Sequence, residues 1–216
     1  MDAEVRNSMK RIKATVIDYG MGNIWSVTSA LKYLGCEVDV SSDALVIEKA
    51  QILILPGVGS FRKAMNALIS MNLEVPILNH VQNRKAKFLG ICLGMQLMGT
   101  KSTEDGETKG LGLIPSSVEK FSSAEVADRK VPHIGYNQVH FDSDENLFKG
   151  ISGNQDFYFV HSYRMLPPDW KAGVSTCNYG IEFLAAYENE NIFATQFHPE
   201  KSQTNGLKLL DNFLKA

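Results

Sequence analysis

Apolar positions along this chain follow one rhythm in its first half and another in its second. In the first half, short unbroken apolar runs trade places with stretches of helical spacing. Ala14-Thr15-Val16-Ile17-Asp18 is a β-branched run that predicts a buried strand. Trp25 to Leu34 carries apolar residues at helical spacing, and Gly35 is a stop signal after it. Glu37 to Val40 predicts a second strand, Leu45 to Lys49 a short helix, and Gln51 to Leu55 a fully apolar third strand. Phe61 to Met71 and Val75 to Asn83 predict helices, with Pro76 at home in a first turn. Lys87 to Ile91 is the next strand. This alternation calls for right-handed crossovers and a parallel sheet, and ligands of such sheets collect at the carboxyl ends of the strands.

Gly99 to Gly112 is rich in Gly, Thr and charge and reads as a surface loop. Beyond Leu113 the rhythm changes. Val118 to Phe121, Val131 to Phe141, Phe157 to Val160, Ala172 to Thr176, Phe183 to Tyr187 and Ile192 to Gln196 are short β-type runs separated by turns. They predict antiparallel strands that extend the sheet. Gly206 to Lys215 closes the chain as a helix. The expected class is α/β: a central, mostly parallel sheet with flanking helices and antiparallel C-terminal strands.

The 216 residues, 44% hydrophobic and 21% charged, fit one compact domain. A net charge of −2 gives no surface for nucleic acid or an anionic membrane. Three cysteines argue against a disulfide framework and for a reducing compartment. No apolar run is long enough to span a bilayer, and Met1 to Lys13 lacks the apolar core of a signal peptide. The expectation is a cytoplasmic protein with a polar extension over residues 1–12 and a single domain over residues 13–216.

Candidate chemistry centres on Phe88-Leu89-Gly90-Ile91-Cys92-Leu93-Gly94-Met95-Gln96. A strand ends, the chain turns sharply, and a helix starts. Gly90 and Gly94 bracket Cys92 in the nucleophile-elbow pattern, with a thiol in place of the usual hydroxyl. Small neighbours are needed on such a strained turn, and a helix N-terminus favours a thiolate. The same residues also fit a buried cysteine that only packs.

Other segments add candidate chemistry, and the one after the third strand falls at the same sheet edge. Pro56-Gly57-Val58-Gly59-Ser60 can turn backbone N–H groups into a cavity as an oxyanion hole, or serve as an ordinary turn. His198-Pro199-Glu200 places an imidazole and a carboxylate two residues apart on one face, with Pro199 fixing the backbone between them. That pair can orient the ring and turn a nearby thiol into a nucleophile; alone it fits a surface loop as well. A metal site is not expected, because no other His or Cys shows ligand spacing around it. A tight turn at His161-Ser162-Tyr163 would offer N–H groups to a carboxylate or amide. Gly20-Met21-Gly22-Asn23 resembles the start of a dinucleotide fingerprint but has Trp25 where a third glycine is needed. Asn23 is expected on an exposed turn, capping the helix or facing a partner. Cys36 and Cys177 read as packing residues.

Taken together and in this order, Pro56-Gly57-Val58-Gly59, Gly90-Ile91-Cys92-Leu93-Gly94-Met95-Gln96 and His198-Pro199-Glu200 resemble the class I glutamine amidotransferases. The resemblance runs from about Lys13 to the end. Asp18-Tyr19-Gly20-Met21-Gly22-Asn23, His161-Ser162-Tyr163 and Gln196-Phe197-His198-Pro199-Glu200-Lys201-Ser202 are similar to glutaminase subunits that serve histidine biosynthesis. The family implies a flavodoxin-like fold, no cofactor, and hydrolysis of L-glutamine to glutamate and ammonia by a Cys92–His198–Glu200 triad. It implies Val58 and Leu93 as oxyanion donors and Gly57, Gly59, Gln96, Ser162 and Tyr163 as glutamine contacts. It also implies a heterodimer with a (β/α)8-barrel cyclase, with Asn23, Tyr136, Asn137, Tyr158 and Lys201 on the partner side. Tyr158 and Lys201 equally suit ordinary packing and a solvated lysine. Where the family usually carries tryptophan, Tyr136 keeps an aromatic surface with a polar tip. The competing readings are a paralogous subunit feeding a synthase that amidates cell-surface sugars, a stand-alone thiol hydrolase or peptidase, and a non-enzymatic binding module.

Overall fold

The computed structural model describes residues 12–141, 146–153, 155–168 and 173–216. The polar extension expected at the N-terminus lies outside them, apart from Ile12, as does Ala172.

The first half follows the strand–helix alternation of the sequence. It runs β1 (Lys13–Ile17), α1 (Ile24–Tyr33), β2 (Glu37–Ser41), α2 (Ala44–Lys49), β3 (Ile52–Gly57), α3 (Phe61–Ser70), α4 (Glu74–Leu78), β4 (Lys87–Cys92) and α5 (Leu93–Leu97). The helix expected over 75–83 is α4 continued by a wider π-type turn over Asn79–Asn83. Asn23 caps α1, its Oδ1 accepting from the Ser26 N–H at 3.4 Å. Trp25 stands on the outside of α1, 78% exposed, and takes no part in packing the helix onto the sheet.

The second half adds β5 (Lys101–Ser102), β6 (Thr108–Lys109), β7 (Val118–Lys120), α6 (Ser123–Val126), β8 (His133–His140), β9 (Gln155–His161), β10 (Tyr163–Met165), β11 (Val174–Tyr179), β12 (Ile181–Asn189), β13 (Ile192–Thr195) and α7 (Gln203–Lys215). A nine-stranded sheet runs β2-β1-β3-β4-β13-β12-β11-β8-β9. Pairings from β2 across to β13 are parallel, and those from β13 to β9 are antiparallel. The last strand therefore returns to the middle of the sheet and lies beside β4. The antiparallel strands extend the parallel half, as the change of rhythm predicts.

Two features depart from the sequence reading. The surface loop over 99–112 contains β5 and β6, which join β7 and β10 in a second sheet ordered β10-β7-β5-β6. At the tight turn expected over His161-Ser162-Tyr163 the chain passes from one sheet to the other, leaving β9 and entering β10 across the single residue Ser162. Apolar side chains fill both faces of the main sheet. Phe157, Phe159, Phe183 and Phe213 lie in one layer, and Leu53, Phe61, Phe88 and Met95 in the other.

Candidate active site

Strand register brings the catalytic candidates to one edge. Gly57 of β3 stands opposite Cys92 of β4, and Ile91 of β4 stands opposite Thr195 of β13. Val58, Cys92 and Gln196 thus leave the sheet side by side. Cys92 adopts φ 55°, ψ −111°, a strained backbone for an L-residue, and α5 starts at the next residue. Its flanking glycines are required by close packing. A Cβ on Gly94 would lie 1.8 Å from the Leu55 carbonyl oxygen, and one on Gly90 would lie 2.3 Å from the Met98 sulfur.

His198 and Glu200 reach the same edge from beyond β13. The His198 N–H donates to the Tyr158 carbonyl at 2.9 Å. Ser202 Oγ donates to the His198 carbonyl at 2.6 Å and accepts from the Tyr158 N–H at 3.0 Å. The His198 loop is thereby fastened to β9. Nothing in the sequence around Ser202 signals this role. His198 Nδ1 lies 2.8 Å from Glu200 Oε1, with both side chains buried, so Nδ1 carries the proton between them. Nε2 is buried without a hydrogen-bond partner and faces the Cys92 sulfur. Burial opposes a charge on this ring, but the Cys92 sulfur and then Glu200 outweigh it and push the imidazole up to about 10. The charged form of the ring is thereby favoured. A sulfur, an imidazole and a carboxylate together form a thiol nucleophile with its acid–base partner.

A cavity of about 320 Å³ opens over the sulfur. That is the small end of the range of about 300–1,000 Å³ for ligand pockets. Val58, Gly59, Gln96, Ser162 and Tyr163 line it, as does Leu93. Gly57 does not: it sits behind Val58, where a Cβ would press on the Tyr19 hydroxyl, Leu93 and Gly94. Gln96 spends both amide hydrogens on the Tyr163 carbonyl and Gln196 Oε1, each at 2.9 Å. Only its own Oε1 is left to accept from a ligand. Glu104, from the loop between β5 and β6, also lines the cavity, and its Oε2 accepts from the Phe61 N–H at 2.7 Å. Burial raises the Glu104 carboxyl, and the Phe61 N–H works against that rise. Nothing in its polar surroundings in the sequence marks Glu104 as a site residue.

The oxyanion loop departs from expectation. The Val58 N–H does not point into the cavity; it donates to the Met21 carbonyl at 3.2 Å. Leu93 N–H, at the start of α5, lacks an intrahelical acceptor by position. One of the two expected donors is thus turned away. The cause lies in the segment after β1. Tyr19 donates to the Pro56 carbonyl at 3.0 Å, and a Cβ on Gly22 would come within 3.2 Å of the Pro56 ring. That segment braces the oxyanion loop from beneath.

The family model described as "Glutamine amidotransferase class-I" matches residues 15–216. The imidazole glycerol phosphate synthase subunit HisH of Aquifex aeolicus (strain VF5) is 45% identical over 203 residues, covering 94% of this chain and 96% of the relative. HisH of Moorella thermoacetica (strain ATCC 39073 / JCM 9320) is 46% identical over 198 residues, covering 92% of each. The chain belongs to the HisH family of class I glutamine amidotransferases. More distant structures share its fold. PurLQS from Thermotoga maritima superposes with a TM-score of 0.72 at 19% identity, covering 96% of this chain and 99% of that one. A glutamine amidotransferase from Thermotoga maritima gives 0.60 at 16% identity, covering 89% and 77%.

On this HisH chain, most of the expected partner-side residues form one patch. Tyr136 and Tyr158 meet edge to face at 5.5 Å, Lys201 Nζ lies 5.9 Å from the Tyr158 ring centroid, and Tyr136 donates to the Lys201 carbonyl at 2.8 Å. Ile134, 60% exposed, is on the same face of β8 as Tyr136. Asn137 departs from this group. Its side chain turns to the other face, donating to the Asn178 carbonyl at 3.3 Å and lying 3.4 Å from His133 Nε2. Strand alternation requires this once Tyr136 faces out. Cys36, Cys92 and Cys177 are all free and buried, and among the described residues no helix is long and apolar enough to cross a membrane.

His161, in the cavity wall, and His133 behind it are buried together, 3.0 Å apart. Burial, then Arg129, lowers His133 to about 4; burial, then His133, lowers His161 to about 3. Burial likewise lowers His80. Each is neutral in the fold and takes up a proton on unfolding below its ordinary value near 6.5. Their stabilisation is thus complete above pH 6.5 and lost as pH falls toward the folded values. Urea unfolding is expected to show stability falling between about pH 6.5 and 5, approaching about 1.4 kcal/mol per pH unit for each of His133 and His161, with His80 adding in the same direction. A flat profile over that window would contradict the neutral assignment.

Proposed function

We propose that this chain hydrolyses L-glutamine to glutamate and ammonia and passes the ammonia to a (β/α)8-barrel cyclase, as the glutaminase subunit of imidazole glycerol phosphate synthase in histidine biosynthesis. The observation that carries this reading is the buried Cys92–His198–Glu200 line beneath a cavity sized for one free amino acid. The Cys92 thiolate attacks the side-chain amide carbon. The oxyanion gathers on the Leu93 N–H and, once it is freed, the Val58 N–H. His198 gives its Nε2 proton to the departing nitrogen while Glu200 holds Nδ1, and ammonia leaves a γ-glutamyl thioester. The now neutral His198 takes a proton from water. The hydroxide so formed breaks the thioester, releases glutamate and restores the ion pair.

Glu104 is placed to receive the α-ammonium of glutamine, and the backbone of Ser162 and Tyr163 its α-carboxylate. Gln96 Oε1 adds an acceptor. This charge pattern suits a free amino acid better than a peptide, whose termini are blocked. The Tyr136–Tyr158–Lys201 patch, with Ile134, is the docking face for the cyclase, since exposed aromatic and branched side chains beside the His198 loop suit an interface core. Three unpaired thiols suit a reducing, cytoplasmic setting.

The test is reconstitution with two partners. Co-purification with a histidine-pathway cyclase, together with glutamine-dependent formation of imidazole glycerol phosphate, is the expected result. Failure there, alongside glutamine-dependent activity with a synthase that amidates surface sugars, would move the chain to that other pathway.

A further inference from the structure

Five buried or half-buried side chains, joined through the Tyr163 carbonyl, form one hydrogen-bonded line that ends on the Cys92 sulfur. His161 Nδ1 lies 2.8 Å from the Tyr163 carbonyl, which only accepts, so Nδ1 carries the His161 proton. The neutral ring then accepts at Nε2, and His133 donates to it from Nδ1 at 3.0 Å. His133 Nε2 is left to accept from Asn137 at 3.4 Å. The same Tyr163 carbonyl takes one Gln96 amide hydrogen, and Gln196 Oε1 takes the other. With its oxygen committed, Gln196 must turn its NH2 toward the remaining neighbour. That neighbour is Cys92 Sγ, 3.8 Å from Gln196 Nε2. Gln196 and His198, two residues apart just beyond β13, both reach the sulfur. The third polar neighbour, the Val160 carbonyl at 3.9 Å, can only accept from the thiol.

We propose that Gln196 is a catalytic residue of this site: its amide donates to the Cys92 sulfur and stabilises the thiolate, and Gln96, His161 and His133 are positioning residues that fix the amide's orientation. This rests on Cys92 being the nucleophile. Gln196 is fully buried, so its donor is not diluted by water. A hydrogen bond to a charged acceptor is stronger than one to a neutral acceptor, so this donor favours the thiolate over the thiol. The other ionisable groups around the sulfur are accounted for. His198 with Glu200 is the ion pair, Tyr19 is raised by burial and then by Cys92 itself, His161 is held neutral, and Glu104 stands across the cavity.

The experiment is the pH dependence of iodoacetamide alkylation at Cys92 in the full chain, with Cys92→Ala as the background. Gln196→Met is expected to raise the midpoint by about one unit or more, and Gln196→Glu, which replaces a donor with an acceptor, by more. An unreactive Cys92 in the unaltered protein would overturn the nucleophile itself. A reactive Cys92 with the same midpoint in both variants would overturn only the role of Gln196. Neither substitution need fold for the question to be answered. In the unaltered protein, the Gln196 side-chain amide resonances are expected to shift at the same midpoint as alkylation, and resonances that ignore it would also overturn the proposal.

Discussion

Replacing Cys92 with alanine is expected to abolish glutamine-dependent synthesis by the complex while leaving ammonia-dependent synthesis at its original rate. The loss should be on the order of 10⁴–10⁶-fold, because removing a nucleophile leaves only binding and oxyanion stabilisation. Structure argues that the two activities separate. Cys92 is buried at the end of β4 and its contacts are internal: the Gln196 amide, the Val160 carbonyl and the His198 ring. None of these belongs to the Tyr136–Tyr158–Lys201 patch, so the docking face proposed there survives the substitution. Alanine also keeps a Cβ at the strained φ of 55°, so the turn is neither relieved nor further burdened. The measurement is product formation by the assembled complex with glutamine or with an ammonium salt as nitrogen source. Loss of both activities would contradict a separate ammonia-making role for this chain. Retention of glutamine-dependent synthesis would remove Cys92 from the chemistry.

What could be read in advance divides along physical lines. Elements set by local period were legible: β1, β3 and β4 as apolar runs, β2 as a short alternating one, α1 and α3 as helical spacings, and the elbow by its two glycines. The placement of β13 beside β4 was not, since no residue in Ile192–Thr195 names its neighbour; only the resemblance put His198 near Cys92. The second sheet was hidden because the chain crosses to it at Ser162 alone. α6 is absent from the expected elements although Ser122 and Glu125 form a capping box visible in the sequence, with Ser122 N–H donating to Glu125 Oε2 at 2.7 Å. Glu104 carries no local signal of a role, and Gln196 and Ser202 entered only as the ends of a motif with no role attached, because each acts through a partner distant in sequence. Asn137 shows the same limit at a single position. A motif put it beside Tyr136, and strand alternation turned it to the opposite face.

The isolated chain is expected to turn over glutamine at least about 10²-fold more slowly than the complex, and the difference should fall on kcat more than on KM. The reason is the Val58 N–H. It is bonded to the Met21 carbonyl rather than presented to the cavity, so a tetrahedral oxyanion finds only part of its hole. Loss of one such donor costs about 10²–10³ in kcat, because the interaction exists mainly in the transition state. In the binding mode proposed above, glutamine's charged end is held elsewhere, by Glu104, Gln96 and the Ser162–Tyr163 segment lining the cavity, so binding of the ground state is spared. Restoring the donor requires the Gly57–Val58 peptide to rotate, and Gly57 supplies the backbone freedom for it. Met21 lies two residues from Asn23, which caps α1 at 3.4 Å from the Ser26 nitrogen. A partner seated at Asn23 therefore works on the segment whose carbonyl holds Val58 back. Steady-state glutaminase assays of the chain alone, and then with saturating cyclase, give the comparison directly. Equal kcat values would mean that the hole is complete without a partner and that the Val58–Met21 bond has no bearing on turnover. An effect confined to KM would place the activation in glutamine binding and not in the oxyanion loop.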